Sequence, residues 1–256
     1  MMREAAKMSL EVACVQLDKT PSALSRIEQG KTRADVHLVR TMMDVYDQNV
    51  PGLLERTRQA MKPGWWVTYG IRDMGYVDVE TEASVVRELA LLPLPGLLQT
   101  EAYMRALFDA DPLSRSKKQL ANDIAVRMIR RQRLTDERNP LRLVAVVDDT
   151  ALRKTIGGPE VMREQLRHLV EMAALPTVDL RVLPDELYGH GGVTAAFTVL
   201  EFPDSEDPGL LYVEYPTGAT HIEEVPEVTR ARLLFDHLNS LALDPADSVA
   251  LIERVL

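Results

Sequence analysis

Between Ser9 and Gly30 the chain is punctuated so closely that only short helices fit. Ser9 can cap a helix that runs to about Leu17, and Asp18-Lys19 then supplies a turn. Thr20-Pro21 pairs a capping residue with a proline at the first helical position, which starts a second short helix. That helix reaches Gln29 and stops at Gly30. Leu17, Leu24 and Ile27 are spaced to pack the two helices together. A third helix fits from about Asp35 to Tyr46 and a fourth from Pro51 to Met61, before Lys62-Pro63-Gly64 breaks the pattern. Two short helices joined by a tight turn are the geometry that places the second helix in a DNA major groove. The same pattern is also that of a plain small helical bundle with a solvated polar face.

In the DNA reading, Ser22, Ser25, Arg26 and Gln29 face outward from the second helix. Arg26 can bond a guanine edge in two places, and Ser22 can reach a base or a phosphate. Ser9, Thr20, Lys31, Thr32 and Arg33 complete the candidate set, the last three placed to hold the backbone. Charge is compatible with this division. Residues 1–62 hold ten Lys and Arg against eight Asp and Glu, whereas the whole 256-residue chain carries a formal charge of −9. A net acidity of that size argues against a chain that coats nucleic acid along its whole surface.

The rest reads as α+β. A long helix fits Ser114 to about Asp136, and residues 159–174 form another. Leu141 to Val147, Val178 to Leu183, Ala195 to Phe202 and Leu210 to Tyr215 read as four strands. The chain ends in helices from about Glu227 to Leu241 and Pro245 to Val255. The expected architecture is an all-α head over 1–62, a loop-like linker over 63–80 and an α+β body over 81–256, in which helices return from about Thr81.

Several function classes drop out. No apolar run approaches the ~18 residues of a membrane span, and the charged start Met1 to Lys7 is no secretory signal. The lone Cys14 excludes an intrachain disulfide framework and suits a reducing cytoplasm. No metal-ligand spacing links His168, His221 and His237, no cofactor motif is present, and no complete catalytic constellation stands out. For the body the candidate ligand pocket is Trp66, Arg127, Arg131 and His190. Arg127 and Arg131 share a helix face, with Arg130 and Arg133 offset, and such a cluster holds an anion or pairs internally with acids such as Asp148, Asp149 or Glu201. His190, flanked by glycines in Tyr188 to Gly192, suits proton transfer or simple exposure. Pro93 to Thr100 reads as a buried turn, and Trp66 either lines a pocket or seals a junction.

Lys19 to Lys31, with its core Ser25-Arg26-Ile27-Glu28-Gln29-Gly30, resembles the recognition helix of xenobiotic-response-element (XRE) type regulators. The body resembles the domain that follows this helix-turn-helix in many actinobacterial regulators, often described as antitoxin-like. Pro95 to Thr100 with Tyr103, Arg127 and Arg131-Gln132 carry that likeness, as do Gly157 to Met162, Gln165-Leu166, Val182-Leu183-Pro184 and Phe197 to Phe202. The resemblance implies a cytoplasmic transcriptional regulator of development or specialised metabolism. Its implied partners are double-stranded operator DNA, a second copy in a homodimer, a small protein encoded nearby, and a small-molecule ligand. Two departures stand out. The family's full first helix is reduced to residues 3–7, which predicts exposure of Met8, Val12 and Leu24, and Leu10 stands where relatives usually carry a DNA-contacting glutamine. These departures also fit a vestigial head, with the body acting as a partner-binding module, a small-molecule binder or an enzyme on a reused scaffold.

Overall fold

The computed structural model describes residues 2–30, 32–70, 75–111, 116–185, 195–204 and 206–256. The chain forms two compact units, Met1–Trp65 and Trp66–Leu256. The first contains α1 (Met2–Ala5), α2 (Leu10–Leu17), α3 (Pro21–Glu28), α4 (Val36–Val45) and α5 (Leu53–Ala60). Local chemistry sets their starts. Ser9, Thr20 and Asp35 accept hydrogen bonds from the N–H groups of Val12, Ala23 and Leu38, and Pro21 opens α3. Asp18 turns α2 toward α3 at φ 50°, a left-handed conformation that a short polar side chain tolerates.

Ala13, Cys14, Leu17, Leu24, Met42 and Tyr46 form the core of this unit. The expected exposure holds for Val12, which is 48% accessible, but not for Leu24, which is fully buried. Met8 is half-buried. Two contacts explain the difference. Met2, Ala6 and Met8 pack against the core. Arg3 also closes a two-pronged fork on Glu28, with Nε to Oε1 at 2.8 Å and Nη2 to Oε2 at 2.9 Å. Its Nη1 donates to the Met8 carbonyl at 2.9 Å. Leu10 packs against the same core, half-buried.

The second unit is built on one six-stranded sheet in the order β3-β2-β1-β4-β5-β6. Its strands are β1 (Val85–Ala90), β2 (Arg142–Asp148), β3 (Val178–Leu183), β4 (Phe197–Glu201), β5 (Leu210–Tyr215) and β6 (Gly218–Ile222). β1, β2 and β3 are parallel, and β4, β5 and β6 continue antiparallel from β1. The helices are α6 (Tyr76–Glu82), α7 (Glu101–Asp109), α8 (Lys117–Gln132), α9 (Asp149–Arg153), α10 (Pro159–Ala173), α11 (Val225–Leu241) and α12 (Pro245–Val255). Both sheet faces are covered. Val86, Ala145, Leu180 and Leu200 meet Leu166 and Leu169 of α10 on one side, while Leu89, Val146 and Val199 meet Phe235 and Leu238 of α11 on the other. Such double burial explains why β2 is a nearly continuous apolar run.

The α+β body stands, with two strands more than the four expected. β1 lies where helix was expected from Thr81. Its Arg-Glu-Leu-Ala half favours helix locally, but parallel pairing with β2 and burial of Val86 and Leu89 on opposite faces override that preference. β6 has little apolar content and owes its existence to a tight turn through Pro216 and Thr217 that returns it against β5. Residues 65–80 are not simply loop, since they include a 3-10 turn, Trp65–Tyr69, and most of α6.

Two polar side chains lock the body. Gln165 of α10 is fully buried; its Nε2 donates to the Leu98 carbonyl at 2.7 Å and its Oε1 accepts from the Thr100 N–H at 2.7 Å. The turn from Leu94 to Thr100 is thereby held in the core, where Tyr103 Oη also accepts from the Leu94 N–H. Ser248 of α12, likewise buried, accepts from the Val182 N–H at 2.9 Å and ties that helix to β3. At Gly157, φ is 73° and an added Cβ would lie 2.7 Å from that of Ala106, so only glycine fits before α10.

Gln165→Leu should destabilise the body by about 2–4 kcal/mol in urea unfolding, since two buried backbone groups lose their partners. Arg3→Ala should cost the head about 1–3 kcal/mol, because the shielded Glu28 carboxylate is left without its guanidinium. A change within about 0.5 kcal/mol in either variant would show that water replaces these bonds at little cost.

Candidate functional site

On the head, the structure brings the outward residues of α3 together. Ser22, Arg26 and Gln29 are exposed, Ser25 is half-buried, and Leu24 and Ile27 turn inward. Spacing alone explains this, because apolar residues three apart claim the core side of a short helix. Arg26 has no hydrogen-bond or ion-pair partner for its side chain among the described residues. Gln29 Nε2 donates to Ser25 Oγ at 3.0 Å, and Thr20 and Ser22 hydroxyls lie 3.3 Å apart. Ser9 and Thr20 serve as caps and remain exposed. Thr32 and Arg33 are exposed just beyond α3, while Lys31 lies outside the described residues. The resulting surface can donate and accept hydrogen bonds along one helix, with one long cation at its centre.

In the body, a cavity of about 650 Å³ opens beside the C-terminal half of β1. Residues of α6, α8, β4 and β5 and the turn after β1 complete its walls. Of the four residues expected at a ligand pocket, Arg127 lines this cavity, whereas Trp66 and Arg131 do not. Trp66 is buried in its 3-10 turn. His190, with the whole stretch Tyr188 to Gly192, lies outside the described residues.

The arginines of α8 and the residues just after it are paired, but not with Asp148, Asp149 or Glu201. Arg130 closes a fork on Glu80, Nε to Oε1 at 2.7 Å and Nη2 to Oε2 at 2.6 Å. The Glu80 side chain is only 1% exposed. Burial lowers the Arg130 pKa, but the Glu80 carboxylate outweighs it and holds the guanidinium above its ordinary range. Arg133 donates to the Glu80 and Ala83 carbonyls at 2.6 and 2.8 Å. Arg127 donates to Gln99 Oε1 at 2.7 Å, and its guanidinium lies 4.8 Å from the Phe108 ring centre. Burial, with Arg130 nearby, pushes its pKa down to about 10. Arg131 donates to the Gln99 carbonyl and lies 3.0 Å from His168 Nε2. Arginine can only donate, so that nitrogen accepts and His168 is neutral, in keeping with a pKa lowered by burial and by Arg131.

The acids expected as partners are engaged elsewhere. Asp148 caps α9, Asp149 pairs with Arg153 at 2.8 Å, and Glu201 takes Arg87 at 2.9 Å and Arg232 at 3.2 Å. Distance in the fold, not charge, decides this, because α6 lies against α8 while β2 and β4 deliver their acids to other helices.

The sequence reading missed Glu88, which lines the cavity from β1. Burial, then the neighbouring Glu80, raises its pKa to about 7, against the opposing pull of Arg130, the Gly96 N–H and Arg127. Tyr76 and Tyr212 face each other across the cavity wall with ring centres 4.6 Å apart. Burial holds the Tyr76 hydroxyl well above its usual pKa and pushes that of Tyr212 up to about 12. One signal for this site was available: Arg87-Glu88 interrupts an otherwise apolar stretch, and two charges at mid-strand need partners or a purpose.

Among the described residues, no group of three or more His, Cys, Asp or Glu is placed to hold a metal, and no helix is long and apolar enough to cross a membrane. A family model described as a helix-turn-helix domain matches residues 1–56. A second, described as a domain of unknown function (DUF5753), matches residues 74–254. No curated protein and no solved structure matches the chain. The N-terminal match agrees with the capped α2–α3 pair and its exposed polar face, which is the architecture of a DNA-binding regulator. With the larger match spanning most of its length, the chain belongs to the DUF5753 family and carries a helix-turn-helix head at its N-terminus.

Proposed function

We propose that the protein is a cytoplasmic transcriptional regulator of the XRE type, in which α3 enters the major groove of operator DNA. The observation that carries this reading is the outward face of α3, where Arg26 is exposed and unpartnered among the described residues while Leu24 and Glu28 fasten the helix from behind. A rigid helix that presents an unengaged arginine is prepared for two-pronged recognition of guanine. Thr20, Ser22, Ser25 and Gln29 supply further contacts, and Ser9, Lys31, Thr32 and Arg33 hold the phosphates. The chain works as a homodimer, because paired half-sites demand a two-fold protein. The body dimerises and senses a small molecule or a small partner protein, shifting the population of heads in register with DNA. The genes under control belong to development or specialised metabolism.

The test is binding of the full chain to duplexes from its own promoter region over a salt series. Specific binding should fall steeply with salt. Arg26→Ala should weaken the specific complex by about 1–3 kcal/mol and relax preference at one base pair. Lys31→Ala should weaken all duplexes alike. Equal, sequence-independent losses in both variants would remove α3 from the role of reading helix, and absence of any specific complex would overturn the regulatory reading.

A further inference from the structure

The cavity beside Glu88 has a definite charge character. Glu80, Glu88 and Glu214 stand near Arg127 and Arg130, so carboxylates outnumber guanidiniums. Arg130 is closed on Glu80 at both prongs. Arg127 is bonded to Gln99, lies over Phe108, and has the acids Glu214, Asp123 and Glu88 close by. Glu88 differs from its neighbours. The Gly96 N–H lies close enough to lower its pKa, and no side chain among the described residues donates to it. It is a half-buried acid with no ion pair of its own among the described residues, on the sheet face that carries the rings of Tyr76 and Tyr212.

An ammonium group on an apolar body complements such a cavity. The carboxylate neutralises its charge, and the electron-rich ring faces attract it further. A carboxylate ligand would instead add a negative charge beside three acids and would meet guanidiniums already engaged. We propose that this cavity binds an organic amine, with its ammonium on Glu88 and its apolar body against Tyr76 and Tyr212. Amine binding gives chemistry to the sensing role proposed above and rests on that role only for its biological meaning.

Binding and pH are linked through Glu88. Its pKa near 7 in the empty cavity means that an arriving ammonium displaces a proton, so affinity rises as pH rises through that value. The charged and titratable groups facing it are Glu80 and Tyr76 from α6, Arg127 and Arg130 from α8, and Tyr212, Glu214 and Tyr215 from β5. His221 of β6 stands behind Tyr212, with ring centres 5.1 Å apart.

The experiment is calorimetric titration of the full chain, without DNA, using phenethylamine, benzylamine and butylamine, with phenylacetate and 2-phenylethanol as anionic and neutral counterparts. At least one amine should bind saturably, about tenfold tighter near pH 8 than near pH 6, because an acid of pKa near 7 goes from about one-tenth to about nine-tenths ionised over that range. Wild-type protein should release a proton on binding, seen as a heat that varies with the buffer's ionisation enthalpy. The counterparts should bind about tenfold more weakly or not at all. Glu88→Gln should lose at least about tenfold in amine affinity and the pH dependence with it. Its folding is checked by melting. A raised carboxyl pKa means that the unfolded chain ionises first, so this acid destabilises the fold as pH rises above about 4.5, and the variant should melt higher than wild type near pH 8. Phenylacetate binding as tightly as the amines, an amine affinity indifferent to pH and proton release, or no saturable binding by any of the three amines would each overturn the proposal. Because no DNA is present, failure here leaves operator binding standing, and failure of operator binding leaves the amine site standing.

Discussion

The fork between Arg130 and Glu80 is the interaction on which the body's organisation most depends. A carboxylate as buried as that of Glu80 survives in the interior only if its charge and its lone pairs are met. Arg130 meets both, and Arg133 takes the carbonyls of Glu80 and Ala83. Together they fasten α6 to α8 and to the strand that follows. The fork also engages the strongest cation near the cavity, which leaves Glu88 without an ion pair among the described residues. One structural ion pair thus sets the electrostatics of the neighbouring space.

β1 is the second constraint. It is the junction of the parallel and antiparallel halves of the sheet, and it carries charges at two successive positions. Side chains alternate along a strand, so Arg87 and Glu88 leave on opposite faces. Arg87 finds Glu201 and Asp236 on the side of α11. Glu88 finds the cavity. A central strand pays a cost in desolvation for such residues, and the cost is offset on one face by ion pairs and on the other by water-accessible space.

The head shows how a small helical unit keeps a rigid working surface. α1 is only four residues long, yet Met2 and Ala6 cover the core and Arg3 reaches the far end of α3 through Glu28. Glu28 lies within the Ser-Arg-Ile-Glu run that carries the family likeness, so a residue two positions from the exposed Arg26 has a structural task. Anchoring one side of a short helix lowers the entropy lost when its other side meets a partner.

Much of this was legible in the residues themselves. Caps and breakers set α2 through α5, because their chemistry acts within a few positions of the chain, and α12 begins and ends where Pro245 and Val255 imply. β2 and β3 announced themselves by continuous or alternating apolar pattern. The outward set on α3 followed from helical spacing alone. What local pattern could not reach was long-range pairing. β1 became a strand because β2 and β4 lie beside it, β6 because β5 offers an edge, and the α8 arginines chose Glu80 and Gln99 over Asp148, Asp149 and Glu201 because of where α6 and the turn after β1 lie. Glu88 is the clearest case. The sequence determined by itself that an acid interrupts an apolar stretch and that a capped helix pair leads the chain. Tertiary structure alone decided that the acid stands without an ion pair among the described residues, beside the rings of Tyr76 and Tyr212, since desolvation and charge pairing depend on neighbours that the chain brings together only when it folds.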